Sequence, residues 1–383
     1  MKSARFSLSL LAVLLLPAIA SAASSINTLS QAKAPILYNH AGAIFRVNPA
    51  TGAIRRLTAS TKGVLRSEGS WSPHGALIVY TRASDPVASN QYLEKKLYTI
   101  DQYGGSAFLL TRGPGRYQQP AWGPGPSIVL INASSRCLAI VRRDGTGLRP
   151  LFCPPFAYAT EVTWSTPQWS PDGKSIFVQA GQWGTEGLEP PWHLFIYQVD
   201  AATGVARPVY KRDFGEPITL AVAPGGKHGI FMEEFNGTRL WIVDFATGNR
   251  TAAGLGTGGA YYGIRYSPDG RRVAFSHDAI DILPDQTYRS YVGTYVMRAD
   301  GSAVRLVASV DRTSADQKTM TFEEVAGWSG DGSHLLLNRV RDHLEQGRYV
   351  SYPTLRTVNV ATHAAKALPK AKGSAGDGAW FQH

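Results

Sequence analysis

Six copies of one turn, seven strand-turn-strand units and a fragment of a further turn predict an all-β chain closed into a β-propeller. The turn copies are Trp71-Ser72-Pro73-His74-Gly75, Trp122-Gly123-Pro124-Gly125, Trp169-Ser170-Pro171-Asp172-Gly173, Val222-Ala223-Pro224-Gly225-Gly226, Tyr266-Ser267-Pro268-Asp269-Gly270 and Trp328-Ser329-Gly330-Asp331-Gly332. Their anchors lie 51, 47, 53, 44 and 62 residues apart, and Trp380 repeats the anchor 52 residues after Trp328.

Each element of the repeat has a physical reason. An apolar strand ends in an aromatic large enough to fill the space between neighbouring sheets. Proline presets φ, aspartate bonds the turn backbone, and glycine supplies a positive φ. A β-rich run follows, such as ALIVYT or SIFVQA, and then a hairpin such as TYVMRADGSAVRLVA. Trp71, Trp122, Trp169, Asp172, Asp269, Trp328, Asp331 and Trp380 are therefore structural residues of the repeat. A four-stranded unit cannot bury both faces alone, so it stacks on its copies. Seven four-stranded blades are expected, the first built from residues 36–58 and closed by a strand at Trp380, so that both termini share one blade. A six-bladed ring is the alternative.

The chain has 383 residues, of which 44% are hydrophobic, 39 are Gly and 23 are Pro. That is enough apolar material for a large core and excludes wholesale disorder. Two cysteines exclude a disulfide scaffold and a cysteine-rich zinc module. Residues 1–22 have a charged start (Lys2, Arg5), an apolar stretch from Leu8 to Ala20 and a small-residue cleavage site at Ala20-Ser21-Ala22. This is the layout of a secretory signal peptide, too short and too interrupted by Pro17 to span a bilayer. The expected organisation is a signal peptide over 1–22, a leader over 23–35 and one propeller domain over 36–383. The mature chain is expected to be a soluble, periplasmic or secreted monomer with no membrane span, and no cysteine near the cleavage site offers a lipid anchor.

Cys137 and Cys153 flank a hairpin turn centred on Gly145, so residues whose numbers sum to 290 should face each other, as these two do. Opposed residues of an antiparallel pair come close enough for a disulfide, and the exported compartment preserves one.

The turn series resembles the WD40-like, TolB-type (PD40) propeller repeat, whose consensus is W-S-P-D-G after the inner strand. The resemblance runs from residue 36 to 381. Trp169 to Gly173 matches in full, and Tyr266 to Gly270 matches apart from its aromatic. The resemblance implies a propeller. TolB proteins carry an α/β domain ahead of the blades, for which this chain leaves no room, so a role in the Tol-Pal system is not implied.

Catalytic signatures are lacking. Gly327-Trp328-Ser329-Gly330-Asp331 lacks the final glycine of a nucleophile elbow. No HExxH occurs, and Asp278, Asp281 and Asp285 lack the spacing of a calcium loop. His277 and His343 fall on loops of adjacent blades, Glu161 and Glu216 lead into neighbouring inner strands, and Glu323 and Glu324 alternate across a strand. No catalytic residue, metal or cofactor is assigned. The formal charge of +11 falls to +9 once Lys2 and Arg5 are removed. On the face expected to carry the linkers and long loops, 17 basic residues meet 18 acidic ones, which argues against specific nucleic-acid binding.

Tryptophans not explained by the repeat gather at the blade anchored on Trp169. Trp164 precedes it, and Trp183 and Trp192 bracket the Gly- and Pro-rich loop GQWGTEGLEPPW. With Tyr117, Tyr158 and Glu161 they form the expected ligand-binding sector, since aromatics on restrained loops bind at small entropic cost. The expected function is an exported, non-catalytic recognition module for an envelope protein, peptide or glycan. A propeller enzyme acting on a polysaccharide or peptide at the channel face is the alternative.

Overall fold

The structure, a computed structural model, describes residues 34–84, 94–156, 161–183, 193–213, 219–234, 238–256, 259–282, 288–312, 318–375 and 380. Among them, 28 strands form seven antiparallel sheets, the blades of a seven-bladed propeller. In chain order, blade 1 spans 36–56, blade 2 64–109, blade 3 117–152, blade 4 161–213, blade 5 220–253, blade 6 261–311 and blade 7 319–368. The six-bladed alternative is excluded. Blade 1 has three consecutive strands and takes its remaining partner from the carboxyl end, through pairing of Ile36 with Trp380 and of Asn39 with Ser374. The chain approaches so closely there that a Cβ on Gly373 would lie 2.0 Å from the Asn39 carbonyl oxygen.

The core lies between blades. Ala274 and Val296 of blade 6 pack on Trp328, Leu335 and Leu337 of blade 7, and Phe177 of blade 4 packs on Phe231 and Val243 of blade 5. Strand alternation puts one apolar face of each sheet against each neighbour.

Around the axis, polar groups join one inner strand to the next. The indole N–H of Trp122 donates to the Ser70 carbonyl (3.2 Å), that of Trp169 to Ala121 (3.1 Å) and that of Trp328 to Arg265 (3.0 Å). Blade 5 has Val222 in place of the aromatic. There Gln168 of blade 4 donates to the Leu220 carbonyl (2.6 Å) and accepts from the Val222 N–H (2.7 Å). Inner strands of blades 2, 3, 6 and 7 also carry a register shift just before the anchor. At the first two, Glu68 and Gln119 adopt φ of 57° and 52°, and the Glu68 carboxylate accepts from the Gln119 N–H at 2.7 Å. Blade 6 has Gly263 at this point, because a Cβ there would lie 2.1 Å from the Val325 carbonyl oxygen of blade 7.

The anchor turns form as their residues dictate. Ser170 donates to Asp172 (2.6 Å) and accepts from the Ser175 N–H (2.9 Å), while Asp172 accepts from the Lys174 N–H (3.0 Å). Ser267 with Asp269, and Ser329 with Asp331, repeat the pattern.

Two outcomes are expected. Gln168→Ala strands the Val222 N–H and Leu220 carbonyl and should cost about 1–3 kcal/mol, read from urea unfolding; an unchanged midpoint would show that the blade 4–5 joint does not depend on it. The second concerns acid. The Ser170 hydroxyl and the Lys174 N–H hold the Asp172 carboxyl below its ordinary range, and turn hydrogen bonds do the same for Asp200, Asp244 and Asp300. A depressed folded-state pKa gives stability that is present above the unfolded value and lost as pH falls through the folded one. The urea midpoint should therefore drop below about pH 4, and Asp172→Asn should remove part of that drop.

Candidate aromatic binding groove

The strand His193–Asp200 alternates so that His193, Phe195 and Tyr197 share one face of blade 4. The same face receives Trp164 and Ala180 of the two strands on one side and Lys211 on the other, since Trp164 pairs Ala180, Ala180 pairs Phe195 and Phe195 pairs Lys211. Phe195 stacks on Tyr197 (centroids 5.4 Å apart, planes at 17°), Phe156 tilts against Phe195 (5.5 Å) and Phe152 against Tyr197 (4.7 Å). The Lys211 ammonium lies 5.7 Å from the Phe195 centroid. Phe152, Phe156, His193, Phe195, Tyr197 and Lys211, with Gln182 and Pro155, line an open groove of about 440 Å³. Burial pushes the Tyr197 hydroxyl up to about 12, so the groove floor stays uncharged. The groove offers aromatic faces flanked by an ammonium, an imidazole and an amide, a surface suited to stacking rather than to bond-making.

The residues expected from sequence divide into four groups. Trp164 is half-buried, in the interrupted inner strand of blade 4 rather than in a linker, and packs into the cluster that includes Phe156 and Phe195. Its carbonyl accepts from the Gln119 amide at 3.4 Å, and its indole N–H has no partner among the described residues. Tyr117 is 5% exposed and belongs to the core between blades 2 and 3, its hydroxyl donating to the Pro114 carbonyl at 3.4 Å. It supports blade packing and does not line the groove. Glu161 and Trp183 are register partners in the strands Glu161–Trp164 and Ser175–Trp183, one alternation away from the face that carries Trp164 and Ala180, whereas Tyr158 and Trp192 lie outside the described residues.

Other candidates separate. His277 packs on Tyr261 (4.5 Å) on the blade 5 side of blade 6, and His343, bonded to Thr319, lies on the blade 6 side of blade 7. The sheet of blade 6 stands between them. Glu216 falls outside the described residues. Glu323 and Glu324 face opposite ways, Glu323 toward Arg339 and Arg356 and Glu324 toward Asn338. The anchors themselves, with prolines such as Pro120 and Pro224, line an axial cavity of about 420 Å³. Its walls are the blade-to-blade joints.

This is a seven-bladed β-propeller with a peripheral aromatic groove. No protein-family model and no curated protein matches the chain. Among solved structures it is similar to an oligogalacturonate lyase in complex with manganese, at 15% identity and TM-score 0.57, with 87% of this chain and 84% of that one covered. It is similar also to an oligogalacturonate lyase from Vibrio parahaemolyticus, at 13% identity and TM-score 0.58, covering 87% and 83%. A TolB protein from Agrobacterium tumefaciens follows at 17% identity and TM-score 0.47, covering 72% and 90%. At these identities the likeness is one of fold.

The cysteines meet as expected. Cys137 and Cys153 form a disulfide with Cα atoms 4.3 Å apart, fixing the start of the segment Pro154-Pro155-Phe156 that supplies one groove wall. Replacing both by serine should lower stability by about 2–4 kcal/mol and speed hydrogen exchange at the Phe156 amide, which bonds the Pro154 carbonyl at 2.8 Å. Unchanged exchange there would show that the bridge does not hold the wall.

Proposed function

We propose that this protein is an exported, non-catalytic recognition module of the cell envelope, and that a protein, peptide or glycan docks in the groove of blade 4. The observation that carries the reading is the half-exposed aromatic surface of Phe156 and Phe195 over buried Tyr197, with Lys211 at its edge. Stacked rings offer large contact area at small entropic cost, and the ammonium and the Gln182 amide supply direction. Trp183 and Trp192 bracket the chain segment that joins the two central strands of this blade. In this reading Trp192 and Tyr158 extend the site, Trp164 packs behind it, and Trp183 and Glu161, which by register alternate away from the face of Phe195 and Tyr197, mark its rim. The layout of residues 1–22 supports export, and a disulfide suits an oxidising compartment. The repeat turns support membership of the TolB-type propeller group.

The test screens envelope proteins, peptides and cell-wall glycan fragments against the mature chain and against Trp183→Ala, Trp192→Ala and Phe156→Ala variants. Variants that melt as the wild type should lose roughly tenfold or more in affinity for whatever the wild type retains. A normally melting triple variant that keeps those ligands would overturn the groove as the site. Turnover of a bound glycan or peptide by the intact protein would overturn the non-catalytic role.

A further inference from the structure

Blade 7, three blades further round the ring, carries a site of different chemistry. Its central hairpin, His334–Glu345 with Arg348–Asn359, has strands of 12 residues, against 6 in the central hairpin of blade 3. Register places Thr319, Thr321 and Glu323 opposite His343, Arg341 and Arg339, and these last two opposite Tyr352 and Thr354, all on one face. Thr319, Arg339, Arg341, His343, Tyr352 and Arg356 line a pocket of about 440 Å³.

The charge in this pocket is unbalanced. Glu323 is fully buried, its Oε2 lying 3.4 Å from the Nε of Arg339 and 3.0 Å from the Nε of Arg356. One carboxylate thus anchors two guanidinium groups at the pocket wall. Exposed Arg341 adds a third positive charge and Arg348 at the hairpin end a fourth. Against these four the face has, among the described residues, only Glu323 and Glu345, and Glu345 accepts from the Tyr352 hydroxyl. Across the interface, Asp278 of blade 6 is paired with Arg312. The surplus is local, because the linkers and loops assigned to this end of the ring are close to neutral in sum.

Beside the arginines the same face exposes apolar surface. Tyr352 is 47% and Val350 38% exposed, with Val350 paired to His343. Arginine forks bind carboxylates bidentately. A uronic-acid sugar would satisfy the forks but would leave Val350 in water, whereas a peptide supplies a carboxylate and an apolar side chain two residues apart or less.

We propose that this pocket binds an acidic peptide segment, with a carboxylate held by Arg339, Arg341 and Arg356 and an adjacent apolar side chain resting on Tyr352 and Val350. The site is independent of the aromatic groove. Calorimetric titration of the intact protein at low salt tests it with three probes: a short peptide alternating glutamate and valine, its glutamine counterpart, and a uronic-acid oligosaccharide. The glutamate peptide should bind, the glutamine peptide about tenfold more weakly or less, and added salt should weaken binding. Arg341→Gln, at an exposed position, should fold normally and cost about tenfold in affinity, and Tyr352→Ala should also weaken binding. Equal binding of the glutamine peptide, tighter binding of the oligosaccharide, or an Arg341→Gln protein that binds as wild type would each overturn the proposal. Phe156→Ala should leave this binding unchanged; a parallel loss would overturn the independence of the two sites.

Discussion

Every blade depends on a joint to its neighbour at the axis. A four-stranded sheet has two apolar faces and no means of covering both, so the ring exists only if each inner strand is held beside the next. Packing alone is non-directional. Direction comes from the indole N–H groups of Trp122, Trp169 and Trp328, each reaching back one blade to the carbonyl just before the preceding anchor. The tryptophan does two things at once, filling the gap with its rings and fixing the distance with its nitrogen. Where the repeat departs from its pattern, the joint is rebuilt by other means. Val222 can donate nothing from its side chain, and the Gln168 amide supplies both a donor and an acceptor in its place. Tyr266 keeps the aromatic bulk, but its hydroxyl is buried with no partner among the described residues, and burial drives its pKa up.

The repeat was legible because it is over-determined. Ser170, Asp172 and Gly173 are tied to one another and to Lys174 and Ser175 by hydrogen bonds within a single tight turn, so the residue types and their spacing are fixed together. The disulfide was legible for the same reason, since hairpin register is arithmetic. The blade count followed from the Trp380 fragment, which the structure pairs with Ile36.

The groove was only partly legible. Tryptophans outside the repeat pointed to blade 4, yet His193, Phe195 and Tyr197 went unmarked, because apolar residues at every second position also describe an ordinary core strand. What separates them from a core strand is the segment Pro155-Phe156 that faces them across the groove, a neighbour known only once the blades are assembled. Tyr117 shows the converse. An aromatic at the start of an inner strand faces the preceding blade, and there Val79, Leu97 and Leu110 enclose it. The blade 7 pocket was hidden more deeply, because Glu323, Arg339 and Arg356 are distant in sequence and meet only across three strands.

The blade 7 pocket lies where the demands of the repeat relax. Near the axis each side chain must serve a joint, and substitution there is penalised by two blades at once. Away from it, the central hairpins of blades 6 and 7 run to 11 and 12 residues per strand, longer than the neighbouring inner strands that could cover them. Beyond the reach of the next blade, the alternation that would bury apolar residues no longer has a surface to bury them against. Charged and aromatic residues can occupy those positions without cost to the ring, as Arg341, Tyr349 and Tyr352 do. A rigid, internally bonded axis with variable outer hairpins therefore lets one scaffold hold an aromatic groove on blade 4 and a cationic pocket on blade 7, each tuned without disturbing the other.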